Sequence, residues 1–117
     1  MSNEKIEKAK NNFLGKSNKR LNCYQSILDA FQDKFNITEQ EITDGENFSS
    51  GQAPDGFCGA LYAVKVILEK NNGDITELMT DFMIENGGFR CADIRSAKQT
   101  NCVECIEKAA FYLDGLK

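Results

Sequence analysis

A chain of 117 residues, 41% hydrophobic and 27% charged, fits one domain that buries roughly two-thirds of its unfolded surface. A net charge of −4 argues against nucleic acid or an anionic membrane as partner, and no apolar run nears the length of a membrane span, so no membrane insertion is expected. Histidine is absent, which removes Cys/His zinc fingers, histidine general-base catalysis and the cysteine–histidine nucleophile pair together.

Residues Glu4 to Leu14 predict a weak amphipathic helix around Ile6 and Phe13, ended by Gly15. Residues 1–16 thus read as an N-terminal helical segment, prone to fraying, ahead of a domain over 17–117. Tyr24, Ile27, Leu28, Phe31 and Phe35 recur at helical spacing, with Asn22 as N-cap and Gln25 completing a capping box. A short helical turn is expected at Thr38 to Glu41. From Thr43 to Gly56 the chain is rich in Gly, Ser, Asn and Asp and holds its only proline, Pro54, which predicts one long loop. Phe57 to Lys70 is apolar around most of its circumference and reads as a central helix. Asp74 to Glu77 resembles a capping box for a further helix, with Leu78, Met79, Phe82 and Met83 inward and Gly87-Gly88 as its stop. The last helix starts at Asn101, with Val103, Ile106, Ala110 and Leu113 as its stripe and Glu104 three residues after the cap. Strand signals are scarce. The expected fold is all-α: a single-domain, compact bundle of about five to six helices with one long Gly/Ser-rich loop.

The five cysteines are Cys23, Cys58, Cys91, Cys102 and Cys105. The N-terminal residues lack the apolar core of a signal peptide, so a cytoplasmic, reducing setting is expected. There persistent structural disulfides are uncommon, and such a set signals metal binding or thiol chemistry. Cys23 and Cys102 each follow an asparagine N-cap, and Cys58 falls in the first turn of the central helix. Cys91, after Gly87-Gly88-Phe89-Arg90, lies outside a clear helix start. Free amides and the helix dipole favour thiolate at such positions, so thiol pKa values below the ordinary range are expected. Taken singly, each cysteine reads equally well as a small packed hydrophobe; three at three helix starts point to shared chemistry.

Cys102-Val103-Glu104-Cys105 is a CxxC at a helix start, which suits a redox dithiol, zinc or iron–sulfur ligation. Gly45, Gly51, Gly56 and Gly59 form no phosphate-binding pattern.

The order Asn22-Cys23-Tyr24-Gln25-Ser26, a glycine-rich loop, Cys58-Gly59-Ala60, Cys91 and then Cys102 shortly before Ala109-Ala110 in the terminal helix resembles the redox-active C-GCAxxG-C-C family over about residues 17 to 114. Ala63 stands at the second glycine of the motif, and Cys105 is extra to the four-cysteine pattern. The resemblance implies that Cys23, Cys58, Cys91 and Cys102 are redox-active, by cycling between dithiol and disulfide or by ligating an iron–sulfur cluster or zinc. It places Gly59 and Ala60 as motif backbone beside the sulfurs, with Cys105 either a resolving thiol or core. The implied role is an oxidoreductase or electron carrier, its partner an electron-transfer protein or a small oxidant or reductant. The rival reading is a non-catalytic binding or assembly module with structural cysteines or structural zinc.

Overall fold

The computed structural model describes residues 3–16, 21–48, 56–71, 73–97 and 101–115. Among them are eight helices: α1 (Asn3–Leu14), α2 (Cys23–Ala30), α3 (Gln32–Phe35), α4 (Glu39–Asp44), α5 (Gly59–Lys70), α6 (Thr76–Asn86), α7 (Cys91–Ala97) and α8 (Cys102–Asp114). The described residues form no strand; extended pairing is confined to an antiparallel bridge between Phe57 and Arg90. The fold is all-α, as expected, but with more and shorter helices. Two differences account for the higher count. The apolar run from Tyr24 to Phe35 breaks at Phe31, whose ring is wholly buried where α2 ends and α3 begins, and a helix absent from the periodicity opens at Cys91. No described helix is long and apolar enough to cross a membrane.

Side-chain caps start three helices where the sequence places them. Asn22, Thr38 and Asn101 each accept the backbone N–H three residues on, while Gln25, Glu41 and Glu104 accept the cap residue's own N–H. Asn22 does more: its amide also donates to the carbonyls of Gly45 and Glu46 at 2.9 and 3.0 Å, pinning the end of α4 beside the start of α2. Asn22→Ala is therefore expected to cost about 2 kcal/mol, the upper range for a lost cap, against about 1 kcal/mol for Asn101→Ala. Chemical denaturation of the two variants side by side checks the ranking. At α6 the predicted box takes another form, in which the Asp74 carboxylate accepts from both the N–H and the hydroxyl of Thr76.

α5 is the central element. Ala60, Leu61, Ala63 and Val64 have no exposed surface, and the helix packs between α2 and α8. α1 lies against α2 and α8, burying Ile6 and Ala9. Its buried Asn12 donates to the Asp29 carboxylate at 2.9 Å and so ties α1 to α2. The Lys34 ammonium donates to the carbonyls of Leu113 and Asp114, placing a cation at the C-terminal end of α8 where the dipole favours it. In α6, Leu78 and Phe82 face inward as expected, but Met83 is 54% exposed, since only a narrow stripe of this helix meets α8.

Of the expected Thr43–Gly56 loop, the first residues continue as the end of α4 and successive turns, with Phe48 edge-on to Tyr24 and Tyr62 at 5.1 and 5.8 Å. Residues 49–55 lie outside the described residues.

Candidate redox site

Four of the five cysteines stand at helix starts. Cys23 is the first residue of α2, Cys91 of α7 and Cys102 of α8, while Cys58 is the residue that caps α5. Two placements correct the sequence reading. Cys58 sits just ahead of its helix rather than inside the first turn. Cys91, expected away from any helix start, opens a short helix. α7 buries only Ile94, so seven residues carry too little periodicity to reveal it. Tertiary contacts position it instead: Phe57 bridges Arg90, and the Cys58 N–H donates to the Phe89 carbonyl at 2.9 Å. The same pairing lays the Cys58 and Cys91 segments side by side.

None of the five cysteines is in a disulfide. Cys23, Cys58 and Cys105 are buried, Cys91 is half-buried and Cys102 is exposed. Burial pushes the Cys23 thiol up to about 11, helped by charge on the Cys102 and Cys91 sulfurs; the amides of Tyr24 and of Cys23 itself pull the other way. A hydrogen bond to Cys105 raises Cys58, followed by burial and by charge on Cys105 and Cys23, against the Leu61 amide. Partial desolvation raises Cys102, with the Cys105 and Cys91 sulfurs adding to it and Arg95 opposing.

The lowered thiol pKa values expected at helix starts are thus overturned at Cys23, Cys58 and Cys102. A helix terminus supplies about 0.3–1 kcal/mol, less than one pK unit, whereas burial of an ionisable group moves it by several units. Burial wins. Lys19 and Arg20, which precede Cys23 in the chain, and Asp55, three residues before Cys58, lie outside the described residues.

These mutual effects join the cysteines into one set. Cys102 and Cys91 act on Cys23, Cys23 and Cys105 act on Cys58, and Cys105 and Cys91 act on Cys102. The five cysteines thus act on one another electrostatically, and they range from an exposed thiol to buried ones.

Gly59 explains how the approach is achieved. A Cβ on Gly59 would overlap the Cys23 sulfur and lie 2.8 Å from the Phe48 carbonyl oxygen, so the start of α5 meets the start of α2 through a missing side chain. Ala60, its neighbour in the motif, is a wholly buried core residue.

One residue of the site gave no sign in the sequence. Asn86, the last residue of α6, is buried and donates its amide to the Cys105 sulfur at 3.7 Å. An asparagine before Gly87-Gly88 reads only as a helix stop. Asn86 also forms part of a groove of about 430 Å³ between α1, α6 and α8, whose walls carry Glu7, Glu85, Glu104, Glu107 and Lys108.

Among the described residues, no three Cys, Asp or Glu side chains are grouped to hold one metal ion.

Labelling of Cys23 by iodoacetamide is expected to rise with pH toward a midpoint near 11, and to shift lower in Cys102→Ser, which removes a neighbouring negative charge. A native midpoint at the ordinary thiol value of about 8.5 would contradict this. The same shift acts on folding. The unfolded thiol ionises first, so stability is full below about 8.5 and falls as pH rises from there through about 11.

An all-α fold that sets four of its five cysteines at helix starts defines a small helical cysteine protein. Over residues 21–116 the chain matches the family described as "Putative redox-active protein (C_GCAxxG_C_C)", and it belongs to that family. No curated protein and no solved structure matches it.

Proposed function

We propose that this protein works by thiol/disulfide exchange among its gathered cysteines, with Cys102 as the thiol through which electrons enter and leave. The supporting observation is that cysteines which act electrostatically on one another differ in exposure, Cys102 exposed, Cys91 half-buried, and Cys23 and Cys58 buried. A disulfide-bearing electron-transfer protein or a small disulfide reaches Cys102 directly. Exchange with a second cysteine then converts the mixed disulfide to an internal one and releases the reduced partner. Thiols held protonated at neutral pH protect the inner positions from indiscriminate oxidation, because the thiolate is the reactive form.

The test is a titration of the full chain in glutathione buffers of stepped potential, with free thiols counted by mass after alkylation. Reversible loss of thiols in pairs supports the proposal. Anaerobically prepared protein that carries iron and sulfide, or tightly held zinc, would replace it with a metal centre. A protein whose thiols stay reduced across the whole range, with Cys→Ser variants altered only in stability, would point to a non-catalytic module.

A further inference from the structure

We infer that Cys105, the cysteine outside the four-cysteine pattern, is a redox residue that closes a disulfide with Cys58 at the buried end of the set, and that Asn86 is the residue positioning its sulfur. The inference rests on the thiol/disulfide reading and adds to it a final disulfide and a positioning residue.

Three observations converge on the Cys105 sulfur. Cys105 follows Cys102 by one helical turn in α8, where its N–H donates to the Asn101 carbonyl at 3.1 Å, so the two cysteines share a side of the helix. Cys58, capping α5, is hydrogen-bonded to it. Asn86, anchored at the end of α6 by the left-handed turn at Gly87, donates an N–H to it at 3.7 Å. A cysteine that merely filled space would need neither contact. Here the sulfur is reached along its own helix from the exposed Cys102, contacts a second thiol and is held by a fixed amide.

The route balances. The Cys102 thiolate attacks a low-molecular-weight disulfide, forming a mixed disulfide and releasing one half as a thiol. Cys105 then attacks the Cys102 sulfur, expels the second half, and passes its proton to that leaving thiolate. Cys58 attacks the Cys105 sulfur of the Cys102–Cys105 bond; a Cys58–Cys105 disulfide forms and Cys102 leaves with the Cys58 proton. One small disulfide is reduced to two thiols, while Cys58 and Cys105 are oxidised, and Cys102 is restored for another exchange. The Asn86 amide hydrogen-bonds the Cys105 sulfur of the reduced protein and so favours the reduced pair.

The reduced full chain is treated with oxidised glutathione at pH 7.5, quenched by alkylation at set times, and its disulfides mapped by mass spectrometry. The expected end product links Cys58 to Cys105. Cys105→Ser, or Cys105→Ala if serine does not fold, is expected to stop at glutathionylated Cys102 and accumulate it at least about tenfold over the native chain. Asn86→Leu is expected to move the glutathione equilibrium of the pair about fivefold toward disulfide, the worth of one ordinary hydrogen bond, which a purely structural role would not do. A fully oxidised native chain in which Cys105 remains free overturns the inference and leaves thiol/disulfide exchange standing. A chain that forms no disulfide at all defeats that broader proposal, and this one with it.

Discussion

Replacing Cys91 and Cys102 together with serine is expected to slow alkylation of the folded, reduced protein at pH 7.5 at least about a hundredfold. These are the two cysteines that are not buried. For the rest, two barriers multiply. In the native protein Cys23, pushed up to about 11, is thiolate in only roughly one molecule in several thousand at pH 7.5, against roughly one in ten for an unperturbed thiol. Burial, the largest cause, persists in the double variant. Reagent must in addition reach a sulfur beneath packed helices, which requires local opening of the fold. The double variant should also fail to form internal disulfides from oxidised glutathione, since no thiol remains at the surface to start the exchange. Residue-resolved labelling followed over time checks both parts. Fast labelling of Cys23 or Cys58 in the double variant would show that the grading from surface to interior does not govern reactivity.

Gly59→Ala is expected to remove about 3 kcal/mol of stability, the upper range for overpacking a rigid core. The added methyl would meet the Cys23 sulfur, the Phe48 carbonyl oxygen at 2.8 Å and the Tyr24 nitrogen at 3.2 Å. Two of the three are backbone atoms and cannot rotate away. α5 cannot withdraw either, because Ala60, Leu61 and Ala63 behind the contact are wholly buried. Urea denaturation of the reduced protein measures the loss. Adding Cys23→Ala should restore only part of it, about 1 kcal/mol, since the sulfur goes and the backbone contacts stay. Full restoration would mean that the glycine serves the sulfur alone, and no loss at all would mean that the two helix starts are not in the contact described.

Much of the local structure can be read from the chain because its causes are local. Asn22 with Gln25, and Asn101 with Glu104, lie three residues apart in sequence and satisfy each other's backbone groups without help from elsewhere. Gly15 and Gly87 adopt the left-handed backbone that ends α1 and α6, a property of glycine itself. The apolar faces of α5 and α8 likewise follow from spacing along a single helix. By contrast, α7 depends on a bridge between residues 33 positions apart, and nothing within its own seven residues announces it.

From the chain alone it follows that this protein is helical, that its cysteines follow the pattern of its family, and that Cys23 and Cys102 begin helices. Only the tertiary structure decided which thiols meet water, that Cys105 contacts Cys58 and Asn86, and that burial raises thiol pKa values where a helix start alone would lower them. The division has one physical cause. Capping and periodicity act within a turn or two of the chain, whereas desolvation depends on what distant segments fold over a sulfur, and its free energy is the larger of the two.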